Sequence, residues 1–92
     1  MDEQILEKTD TSESLNKFSE ENLDMIFATN LMIYRKRRKL SQADLAKKVG
    51  VSRETVAWWE SGTRHPDIVM FIRLSNALDI RVEDLIQENE YV

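Results

Sequence analysis

Most side chains in this sequence that could grip an anion lie in one stretch. Residues 25–64 carry nine Lys and Arg (Arg35, Lys36, Arg37, Arg38, Lys39, Lys47, Lys48, Arg53 and Arg64) against three acids. The flanks have the opposite sign, with eight acids against two bases in residues 1–24 and six against two in 65–92, so the formal net charge is −4. Fields from exposed charges fade within about 10 Å at ordinary salt, so the local excess decides what docks there. A cationic block of this density suits a polyanionic partner.

Covalent, acid–base and metal chemistry find little support. The chain has no cysteine and one histidine, His65, which excludes disulfides and thiolate sites and leaves His65 without partners for a metal. We therefore expect no metal and no cofactor. Ser41 and Ser52 stand where helices begin and read as caps, since no histidine is placed for a triad. The acids near both chain ends read as solvated charge, and the expectation is that the protein is not an enzyme. The longest apolar-rich stretch, residues 25–34, is about half a membrane span and contains Thr29 and Asn30. An acidic segment precedes it where a leader would be basic. A cytoplasmic protein without a membrane partner is expected, and the lack of cysteine fits a reducing compartment.

The elements that must position the basic side chains follow from length and punctuation. Ninety-two residues form one domain, and two Gly and one Pro are too few for the turns of an all-β fold. An all-α architecture is expected. Residues 1–18 read as an acidic arm with too few aliphatic side chains to fold alone, and residues 19–92 as the folded domain. Phe18 and Leu23 occupy hydrophobic-staple positions around a Ser19 N-cap, and Leu23, Phe27, Leu31 and Tyr34 repeat at helical spacing up to about Arg38. Ser41 and Asp44 form a capping-box pair for a second helix, which Gly50 ends; Ser52 caps a third, which stops before Gly62. Pro66 and Asp67 open a fourth, whose apolar set is Ile68, Phe71, Ile72, Leu74, Ala77 and Leu78. Val82, Leu85 and Ile86 make a short fifth.

The second and third helices satisfy several demands at fixed offsets. Ala46 is small enough for a close helix crossing, and Gly50 supplies positive φ at the turn. Val56 and Trp59 face inward, which leaves Arg53, Glu54, Ala57 and Trp58 on the outer face of a helix able to enter a DNA major groove.

Residues 40–46 (LSQADLA), 50–52 (GVS) and 59–62 (WESG), followed by Pro66 and the run Leu74 to Leu78, resemble the Cro and lambda-repressor type of helix-turn-helix, the XRE family. The resemblance covers about two-thirds of the chain, from Leu23 to Ile86. It implies a five-helix lambda-repressor-like DNA-binding domain, here with an acidic N-terminal extension and its helix-turn-helix unit at 42–60. It further implies that Arg53, Glu54, Ala57 and Trp58 face bases. Arg53 suits a bidentate contact to guanine, Glu54 accepts from cytosine, and Trp58 offers bulk to a thymine methyl or sugar edge. Gln42 would contact phosphate and brace the recognition helix, and Ser41, Ser52, Thr55, Arg64, Lys36 and Lys39 complete the backbone-contacting set. Arg35 and Glu60 match a frequent ion pair. Asp79 stands where many members have glycine, and Arg81 where a capping Ser or Asp is common, so a frayed fifth helix is expected.

Two functions follow as expectations. The first is a sequence-specific transcriptional regulator, a repressor, binding double-stranded DNA as a homodimer through apolar residues between Val82 and Val92, in the nucleoid of a bacterium, phage or archaeon. The second is an antitoxin or anti-repressor that also binds a protein partner through residues 1–17.

Overall fold

The computed structural model describes residues 20–88, and the expectations for the acidic arm, the Ser19 cap, the Phe18 staple and Tyr91 lie outside them. The described residues form five helices: α1 (Glu20–Arg37), α2 (Gln42–Val49), α3 (Arg53–Glu60), α4 (Ile68–Leu78) and α5 (Val82–Ile86). No helix among them is long and apolar enough to cross a membrane. α1 packs on α3 and α5, α2 packs on α3 and α4, and α4 packs on α5. The core they enclose consists of Phe27, Leu31, Leu45, Ala46, Val49, Val56, Trp59, Leu74, Leu78 and Leu85. Burying one such large apolar side chain is worth about 1.5–3 kcal/mol, which is what holds helices as short as α2 and α3 in place.

Start and stop signals act as their chemistry requires. The Ser41 hydroxyl accepts from the Asp44 N–H at 2.9 Å, and the Asp44 carboxylate accepts from the Ser41 N–H at 2.9 Å, a complete capping box. Ser52 accepts from the Thr55 N–H at 3.1 Å. Gly50 takes φ 81°, and a Cβ there would meet nothing within 4 Å, so conformation and not space demands glycine. Behind it the Val51 N–H reaches back to the Ala46 carbonyl, a Schellman closure. The same closure recurs at Lys39 (φ 59°) and Asp79 (φ 58°), where no glycine is available.

Three details differ from expectation. Pro66 does not open α4: Asp67 is the N-cap, accepting from the Met70 N–H, and Pro66 sits buried one residue before it. Ile68 and Ile72 do not join the core but are 72% and 48% exposed, because the inward face of α4 is centred on Leu74, Ser75 and Leu78, about a quarter-turn round the helix from them. α5 is also tied down more firmly than Arg81 predicts. The Asp84 carboxylate accepts from the Arg81 N–H at 2.9 Å, and buried Asn30 of α1 donates to the carbonyls of Leu85 (3.0 Å) and Gln87 (2.8 Å). Those carbonyls would otherwise be orphaned at the helix end.

Candidate nucleic-acid interface

Four of the side chains singled out in the sequence form one connected cluster. Arg35, in the last turn of α1, is buried and donates through Nε and Nη2 to the two Glu60 carboxylate oxygens at 2.6 and 2.9 Å, and through Nη1 to the Leu40 carbonyl at 2.8 Å. The Glu60 hydrogen bond and charge raise the Arg35 pKa above its ordinary value against the opposing effect of burial, so the guanidinium is permanently charged. Glu60 also accepts from Gln42 Nε2 at 3.0 Å, and Gln42 Oε1 accepts from Arg53 Nη1 at 3.4 Å. The chain of contacts Arg35–Glu60–Gln42–Arg53 therefore joins the end of α1, the start of α2 and both ends of α3. Gln42 has one amide N–H beyond the one it gives Glu60, oriented by its two partners and free of the backbone.

On α3 the expected division of faces is present. Val56 and Trp59 are buried, whereas Arg53, Glu54 and Trp58 are exposed and Thr55 and Ala57 half-buried. Arg53 and Ala57 lie one turn apart, as do Glu54 and Trp58, giving two adjacent rows along the helix. Arg53 and Glu54 approach each other at 3.8 Å with both side chains more than half exposed, a pair worth little energetically. Ser41 and Ser52 spend acceptor capacity on their caps, and Ser52 also shares a 2.8 Å hydrogen bond with the Thr55 hydroxyl. Their hydroxyls sit at two helix N-termini, where N–H dipoles favour an anion.

The basic run at the end of α1 divides by residue. Arg35 is committed to Glu60, Arg37 lies over the Tyr34 ring, and Arg38 donates to the Leu78 carbonyl and pairs with Asp79. Lys36 and Lys39 are exposed at the approach to α2. Arg64, beyond α3, stacks over the Trp58 ring, a contact that the sequence reading did not anticipate. His65 donates to or pairs with Asp24 of α1 at 2.9 Å, fastening the loop between α3 and α4. Among the described residues no three His, Cys, Asp or Glu side chains gather as a metal site would require.

The family model described as helix-turn-helix (HTH_3) matches residues 31–85. The chain belongs to the helix-turn-helix family. An uncharacterized HTH-type transcriptional regulator, YqaE, of Bacillus subtilis is 38% identical over 73% of this chain, which spans 60% of that relative's length. A second, from Archaeoglobus fulgidus, is 35% identical over 62% of this chain and 81% of its own. Among solved structures, the restriction-modification controller protein C.AhdI from Aeromonas hydrophila superposes with a TM-score of 0.64 at 34% identity, covering 67% of this chain and 94% of that one. Hydroxypropylphosphonic acid epoxidase from S. wedmorenis gives a TM-score of 0.70 at 28% identity over 73% of this chain, but over only 36% of the enzyme. The fold is thus shared by a controller protein and by part of a larger enzyme.

Proposed function

We propose that this protein is a sequence-specific DNA-binding repressor that lays α3 in the major groove of double-stranded DNA. The observation that carries the proposal is the Arg35–Glu60–Gln42–Arg53 cluster. It anchors one phosphate-seeking amide and one base-seeking guanidinium to the buried framework, side by side on the surface that α2 and α3 share. In this reading Gln42, Ser41, Ser52, Thr55, Lys36, Lys39 and Arg64 hold the backbone, and Arg53, Glu54 and Ala57 face the base edges. Repression needs no further machinery, because occupancy of an operator excludes other proteins from it. The site of action is the cytoplasmic nucleoid, and no catalytic step is involved.

One α3 helix reads few bases, so the working unit is a homodimer on two half-sites about 34 Å apart. Exposed Ile68, Val69 and Ile72 on α4 and Ile86 on α5 supply the apolar surface for it. Selection of bound sequences from random DNA, with stoichiometry measured on the winner, tests the proposal. Arg53→Ala is expected to cost about 1–3 kcal/mol at the selected site and to relax preference at one base pair, whereas Gln42→Ala weakens binding to all sequences alike. Equal binding by both variants and the wild type would remove this face as the interface.

A further inference from the structure

Trp58 and Arg64 are joined twice, through the backbone and through the side chains. The Trp58 carbonyl accepts from the Thr63 N–H at 3.1 Å, from the Arg64 N–H at 3.4 Å and from the Ser61 hydroxyl at 3.0 Å. The turn leaving α3 is thereby folded back along Trp58, with Gly62 in the left-handed region (φ 77°) at the reversal. Above that turn, Arg64 Cζ lies 4.1 Å from the centroid of the Trp58 ring. Trp59, the next residue, is 4% exposed and belongs to the core, whereas Trp58 is 40% exposed.

This arrangement answers what so large a side chain does on a recognition helix. Indole has one N–H donor and no acceptor, so it is poorly equipped to distinguish base pairs. Its π face, however, attracts a cation, and a guanidinium stacked on that face keeps its edge N–H groups free to fork around an anion. An unstacked arginine loses most of its rotamer freedom when it grips a phosphate; a stacked one has surrendered part of it beforehand. Arg35 shows the contrast, since it is buried and three of its five N–H groups are spent on Glu60 and Leu40.

We infer that Trp58 is a positioning residue whose ring holds the Arg64 guanidinium ready to clamp one DNA phosphate beside the C-terminal end of α3. The inference rests on the DNA-binding role proposed above and reassigns Trp58 from base contact to support of a backbone contact.

The test measures affinity for the selected site across a salt series for the wild type, Arg64→Ala, Trp58→Ala, Trp58→Phe and the Trp58→Ala/Arg64→Ala double variant. Arg64→Ala is expected to lower the salt slope by about one phosphate contact. Trp58→Ala lowers affinity roughly three- to fivefold with unchanged base preference, the scale of an exposed cation–π contact. The double variant is no weaker than Arg64→Ala, and Trp58→Phe, which keeps a ring face, recovers most of the loss. Losses that multiply in the double variant, or a changed base preference in Trp58→Ala, overturn the inference. The stack itself is checked without DNA. Ring-current shifts of the Arg64 side-chain protons are expected in the free wild-type protein and vanish in Trp58→Ala, and their absence from the wild type also overturns the inference. Shifts present in a protein that selects no DNA instead overturn the DNA-binding role, and this one with it.

Discussion

Arg35 and Arg64 are held in place by different means. Arg35 is clasped on three sides, by both oxygens of a carboxylate that is itself 5% exposed and by a main-chain carbonyl. Arg64 rests at the surface on one face of an aromatic ring. The first arginine is buried, with three of its five N–H groups spent within the fold, and serves by fixing Glu60, which fixes Gln42. The second keeps its donors and is fixed only loosely. Removing the first should therefore damage the fold, whereas removing the second should damage only binding.

The largest expected effect comes from breaking the buried pair on one side. Arg35→Ala leaves the Glu60 carboxylate in its pocket with only Gln42 as a donor, and cutting a buried ion pair in this way costs about 3–5 kcal/mol. Urea denaturation should show that loss. Replacing both partners, as in Arg35→Met with Glu60→Leu, should restore most of the stability while still weakening DNA binding, because Gln42 loses its brace. A double variant as unstable as Arg35→Ala would mean that the pair itself, not the stranded charge, supports the fold. Arg64→Ala, by contrast, should leave the urea midpoint near that of the wild type.

The two arginines were unequally legible in the sequence. The Arg35–Glu60 pair follows from a recurring motif in which both positions are specified, and the capping box at Ser41 and the turn at Gly50 follow from local chemistry alone. Neither route leads to the Arg64 stack, which depends on how the turn after α3 folds back on its own helix. Asn30 was unreadable for a similar reason: its partners are carbonyls 55 and 57 positions away whose need depends on where α5 ends. The apolar pattern of α4 indicates a helix but not its rotation, so it does not tell that Ile68 and Ile72, of the apolar set, stay exposed. Periodicity counts apolar residues, and α4 has more of them than one face can bury.

The next effect in size runs through Lys39, whose left-handed conformation nothing in the sequence announced. This residue turns the chain so that the Leu40 N–H reaches the Arg35 carbonyl at 3.2 Å and the Leu40 carbonyl meets Arg35 Nη1. A side chain pays about 1–2 kcal/mol in that conformation, and glycine gives back part of the relief through its freer unfolded chain. Lys39→Gly should raise stability by about 0.5–1 kcal/mol in the same urea assay, while removing one proposed phosphate contact and lowering the salt slope of DNA binding. Asp79 is the counterpart where the gain should be smaller. Aspartate tolerates the left-handed region better, and Asp79→Gly would also lose the 3.0 Å pair with Arg38.

The smallest effect concerns the backbone at the start of α2, the helix that Gln42 opens. The Asp44 carboxyl is held below the usual carboxylate range chiefly by the Ser41 N–H, then by the Ser41 hydroxyl, with the positive charges of Lys47 and Lys48 adding to this. A depressed folded-state value means that the ionised cap stabilises the protein fully above the unfolded value, about pH 4. That contribution disappears as pH falls through the lower folded value. Asp44→Asn keeps an oxygen that can accept from the Ser41 N–H but removes the charge. Its urea midpoint should lie slightly below that of the wild type at pH 7, and the two should converge as the pH falls through the lowered folded-state value. A gap that persists at low pH would mean that the geometry of the cap, rather than its charge, sets the start of α2. Asp44 is exposed, so added salt at pH 7 should also narrow the gap, whereas the cost of Arg35→Ala, made in a buried pocket, should hardly respond.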